Sequence, residues 1–129
     1  MKPREVFETC HARYRGLRAY LKGQMSAMDL DTPSAGYQWR PDRARAEEYV
    51  ADFEMIAERA LRRPEWRGRQ KLFRIYFLHG VEYRRAITLV GVSPNTFDYW
   101  LGEVKKACGR EFLRAGLYPP RRYFQMRGE

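Results

Sequence analysis

The residues whose types and spacing can do chemistry lie close together. Ser93, Asn95, Thr96, Asp98 and Tyr99 share one short stretch. An asparagine amide can pair with adenine through two hydrogen bonds, and an aspartate can accept from cytosine N4. The Ser93 and Thr96 hydroxyls can bind phosphate or cap a helix, and Tyr99 can touch a phosphate or a thymine methyl. Arg84 and Arg85 before this stretch, and Lys105 and Lys106 after it, are placed for phosphates. This chemistry reads a surface; it makes and breaks no bonds.

Bond-making sets do not assemble. Cys10, His11, His79 and Cys108 match no zinc spacing. Cys10 and His11 are neighbours, so on a helix they point about 100 degrees apart and cannot act as nucleophile and base. Glu47 and Glu48 fail as a carboxylate pair for the same reason. The chain has no glycine-rich phosphate loop, Walker lysine or serine elbow. The expectation is a non-enzyme with no metal and no cofactor.

Helical elements must position the polar stretch. Phe7, Cys10, Tyr14, Leu17 and Leu21 recur at spacings of three and four and predict a helix over 4–22, with Arg13, Arg15, Arg18 and Lys22 mostly off the apolar stripe and Gly23 as its stop. Residues 23–41 lack a period and read as a linker whose Tyr37 and Trp39 pack down. Tyr49, Phe53, Ile56 and Ala60 predict a second helix over 42–62, widened by Val50, Ala57 and Leu61 and capped by Asp42. Pro64 opens a third over 64–79, with Leu72, Phe73, Tyr76 and Phe77 as its apolar face and Gly80 as its stop.

Two further helical segments, 82–90 and 94–108, are joined by Gly91-Val92-Ser93. Gly91 permits a left-handed exit, Val92 plugs the gap between helices, Ser93 caps the next helix and Pro94 suits its first turn. Phe97, Trp100, Leu101, Val104 and Cys108 share one face of that helix, which leaves Asn95, Asp98, Tyr99 and Gly102 on the other. After residue 108 a short helical piece is expected over 111–115, then an extended basic tail over 119–129. No strand-period segment and no repeat is present. The expected fold is all-α: a helical platform over 1–63, a helix-turn-helix unit over 64–118, and the tail.

The stretch LFRIYFLHGVEYRRAITLVGVSPNTFDYWL, within residues 72–108, resembles region 4 of the sigma-70 family and related sigma-like regulators of bacteria and phages. An aromatic helix, a glycine, a Tyr-led helix, a Gly-aliphatic-Ser turn and a Thr followed by an apolar residue carry the resemblance. It implies a second helix that enters the major groove with its N-terminal residues. Ile87 stands where the family often has a small residue, with Ala86 just before it. Asp98 stands where a basic residue is common, so the family's promoter preference does not transfer. Nothing in 1–63 resembles the promoter-melting region of a complete sigma factor.

The chain has 129 residues and a formal net charge of +9. Thirteen basic against six acidic residues fall in 64–129, a net of +7. A basic half attracts polyanions because each neutralised phosphate releases a counterion. No apolar run is long enough to span a bilayer, and no secretory leader opens the sequence. The expectation is a cytoplasmic protein that binds double-stranded DNA and no membrane, and regulates transcription. The platform would dimerise or contact RNA polymerase. Two alternatives remain. One is a polymerase adaptor, such as an antitermination or sigma-appropriating factor, that uses an acidic surface of Glu47, Glu48, Asp52, Glu54 and Glu58. The other is a phage DNA-packaging recognition subunit, whose usual domain order is the reverse of this one.

Overall fold

The computed structural model describes residues 1–23 and 42–123. The linker with Tyr37 and Trp39, and residues 124–129 of the tail, lie outside the described residues. Five α-helices follow in order: α1 Pro3–Leu21, α2 Arg43–Ala60, α3 Arg67–Leu72, α4 Tyr83–Val90 and α5 Pro94–Arg114. A 3-10 turn, Pro64–Trp66, leads into α3, and a π-helical turn, Phe73–Leu78, extends it. The described residues contain no strand, and the all-α class holds.

The local signals act where they were expected. Asp42 accepts from the backbone N–H of Ala44 at 2.9 Å and of Arg45 at 3.4 Å. Gly80 and Gly91 adopt left-handed backbone with φ of 67° and 81°, which only glycine enters without strain. Ser93 accepts from the Thr96 N–H at 3.2 Å. These contacts satisfy helix-end donors that would otherwise lack partners.

One continuous core follows. Phe7, Cys10, Tyr14 and Leu17 of α1 are buried against Tyr49, Phe53, Ile56 and Ala57 of α2 and against Val104, Cys108 and Phe112 of α5. Phe53 lies at its centre, with ring centroids 4.4 Å from Tyr14, 5.0 Å from Phe112, 6.2 Å from Phe73 and 6.3 Å from Phe7. α1 packs chiefly on α5 and also on α2.

Four details differ from the sequence reading. The segments 94–108 and 111–115 are one helix, which runs straight through Gly109. A Cβ at Gly109 would lie 1.9 Å from the Pro3 carbonyl oxygen, so this glycine is where α1 and α5 touch. Arg13, expected off the apolar stripe, is buried. Residues 119–123 are not extended: they turn back, with the Arg121 N–H on the Pro119 carbonyl and the Tyr123 N–H on that of Pro120. Tyr123 lies edge-on to Tyr49 and donates to Asp52 at 2.6 Å. Finally, the third helix widens into the π turn, where the His79 N–H reaches back to the Arg74 carbonyl.

α1 caps that turn. His11 Nε2 donates to the Phe77 carbonyl at 3.0 Å, and the Arg18 guanidinium donates to the Leu78 carbonyl. Burial holds the His11 pKa below its ordinary value, opposed by the bond to Phe77. The folded state therefore takes up the His11 proton less readily than the unfolded chain, and stability falls as pH drops. We predict a melting temperature that is flat above the usual histidine range and declines from about pH 6.5 downward. A His11→Gln variant, compared by thermal melts across this range, loses that part of the slope.

Candidate nucleic-acid interface

α4 and α5 are joined by the turn Gly91-Val92-Ser93, with Gly91 in left-handed backbone and Ser93 capping α5. Ala86, rather than Ile87, is the fully buried small residue of α4, while Ile87 is half-buried. Val92 packs against the core between the two helices, and Phe97 is fully buried below it. Phe97 meets Tyr76 and Tyr83 edge-on, with centroids at 5.7 and 5.4 Å. Three aromatic rings thus fix the start of α5 relative to the π turn and α4.

A second contact fixes the middle of α5. The Arg69 guanidinium lies 4.8 Å from the Trp66 ring and 5.0 Å from the Trp100 ring, and its Nε donates to Glu103 at 2.8 Å. The Trp100 ring passes so close to Gly68 that a Cβ there would lie 2.5 Å from it. Arg69 can therefore bind both rings and a carboxylate at once. Sequence reasoning missed this clamp. Its signal was present as a basic residue between two tryptophans, but only folding brings Trp66 and Trp100 together.

The candidate residues divide into two groups. Arg84, Arg85, Asn95, Tyr99 and Lys106 are exposed, Tyr99 to 66%. Asn95 and Tyr99 are four apart on the first turns of α5 and share a face. The other four are engaged within the chain. Ser93 and Thr96 join hydroxyls at 3.0 Å and serve the cap. Asp98 Oδ1 accepts from the Tyr83 hydroxyl at 2.6 Å, which raises the pKa of that phenol. Only its second oxygen is left for a base. Lys105 is turned to α1, where it pairs with Glu8.

The remaining candidates for chemistry are separated or buried. Cys10 and Cys108 are free and buried, and burial pushes the Cys10 thiol up to about 12, so at neutral pH it stays protonated. Burial raises the Cys108 thiol as well. Among the described residues no group of three His, Cys, Asp or Glu side chains is placed to hold a metal ion. No helix among them is long and apolar enough to cross a membrane. Comparison with protein-family models, with curated proteins and with solved structures found no match.

Proposed function

We propose that this protein is a sequence-specific double-stranded DNA-binding transcription regulator that reads its site with the first turns of α5. The observation that carries this is the α4–α5 unit. Its turn has a left-handed glycine, a capped second helix and a buried aromatic plug. On the side away from the core it leaves a polar pair, Asn95 and Tyr99, flanked by Arg84, Arg85 and Lys106. In a helix-turn-helix those positions meet base edges and phosphates. The charge of the 64–129 half supports the same reading.

The polymerase-adaptor alternative rests on the acidic side chains of α2, three of which are engaged with other elements. Of the acidic side chains on α2, Asp52 binds Tyr123 and Arg122, Glu54 accepts from Tyr14, and Glu58 pairs with Arg74. Glu47 pairs with Arg43. Asp52, Glu54 and Glu58 thus tie α2 to other elements, while Glu48 and Glu47, the latter paired with Arg43 one turn before it, are exposed.

Selection from a random pool of duplexes tests the proposal. The wild type is expected to enrich one motif. Asn95→Ala/Tyr99→Ala is expected to lose roughly ten-fold or more of the discrimination, since one good base contact contributes about 1–3 kcal/mol. Wild-type protein that enriches no motif would refute sequence-specific reading.

A further inference from the structure

Two cavities adjoin along α1 and share Arg15, Phe77 and Gly80. The larger, about 380 Å³, reaches Tyr83 and Lys105, and the smaller, about 250 Å³, reaches Arg18 and Lys22. Together they make one groove between α1 and the segment that leaves the π turn and enters α4. The groove is open to solvent along its length. Gly80 keeps its floor low, since it has no side chain and nothing lies within 4 Å of where a Cβ would be.

The charges in this groove do not cancel. Arg15 and Arg18 lie along one face of α1, and Lys22, at its C-cap, follows four residues later. Two carboxylates also line it. Glu8 pairs with Lys105, and Glu82 accepts from the backbone N–H groups of Arg84 and Arg85 and keeps its charge. The cations Arg15, Arg18, Lys22 and Lys105 therefore outnumber the anions four to two. Arg15 and Lys22 are exposed, and among the described residues they pair with no acid. They stand seven residues apart, roughly 10 Å along the helix axis.

The groove also continues the proposed reading surface. Tyr83 at its rim is bonded to Asp98. On α5, Asp98 and Lys105 are seven apart and share a face, so the track runs from the start of α5 toward α1. We propose that this groove holds the phosphate backbone of the duplex outside the helix-turn-helix footprint, with Arg15 and Lys22 as the phosphate ligands. This rests on the DNA-binding reading above. An open, shallow, cationic track suits a continuous polyanion and gives no enclosure for a small effector.

The test is an anisotropy titration of the full chain at several salt concentrations, on duplexes that differ by about one helical turn, roughly ten base pairs. On the longer duplex, Arg15→Gln/Lys22→Gln is expected to lower affinity about ten-fold at low salt. It is also expected to flatten the salt slope by about 2, because each phosphate contact contributes about 0.9. On the shorter duplex it matches wild type, and it keeps the wild-type sequence preference. Arg59→Gln/Arg62→Gln removes the same charge from the end of α2 and is expected to leave both duplexes nearly unaffected. An unchanged slope on the longer duplex, or an equal loss in the α2 variant, overturns the groove while the base-reading proposal stands. Wild-type protein that binds neither duplex overturns both.

Discussion

Phe53→Ala is expected to destabilise the fold by about 4 kcal/mol, within the range for removal of a buried phenylalanine. Phe53 is fully buried, and its ring touches aromatic groups from α1, the π turn and α5. Its removal strips one side from Phe7, Tyr14, Phe73 and Phe112 together. Those rings belong to three different elements, so they cannot collapse into the space without moving whole elements. Because total stability is typically about 5–15 kcal/mol, this single change brings the chain near unfolding. Urea denaturation followed by far-UV circular dichroism measures it. A loss below about 1 kcal/mol would show that the core does not converge on this ring.

Gly109→Ala is the second large effect. Alanine is ordinarily the better helix residue by roughly 1 kcal/mol, so propensity alone predicts a gain. Here the added Cβ would lie 1.9 Å from the Pro3 carbonyl oxygen and 2.6 Å from its carbon. Both are backbone atoms at the first turn of α1, and neither can rotate aside. The expected result is a net loss of about 2–3 kcal/mol, through forced separation of α1 and α5. Gly102→Ala on the same helix is the control. A Cβ there meets nothing within 4 Å, and a gain of up to about 1 kcal/mol is expected. If both variants gain stability, the close crossing at Gly109 is wrong.

This glycine shows where sequence reasoning stopped. Read along the chain, Gly109 looks like a helix end because glycine is intrinsically poor in helices. Its role depends on Pro3, more than a hundred positions away, and no local period carries that information. The π turn was hidden in the same way. The carbonyls of Phe77 and Leu78 have partners only because His11 and Arg18 arrive from α1. Asp98 is exposed as its helical phase implies, but the partners of Asp98 and Lys105, Tyr83 and Glu8, come from other elements and no local pattern announces them. By contrast, Asp42, Gly80, Gly91 and Ser93 act on neighbours a few residues away, and each was legible directly. The turn and the polar face with Asn95 and Tyr99 were likewise legible, since a capped amphipathic helix is a local pattern.

The central claim is that Asn95 and Tyr99 on α5 read base edges in duplex DNA. Its most direct measurement is a fluorescence-anisotropy titration of a selected duplex and a scrambled one at several salt concentrations, for wild type and for Asn95→Ala/Tyr99→Ala. The account predicts tight, steeply salt-dependent binding by wild type with a clear preference for the selected duplex. It predicts that the double variant loses the preference yet keeps most of the salt slope, because the phosphate contacts remain. Equal preference in both proteins, or no duplex binding by wild type, would contradict it.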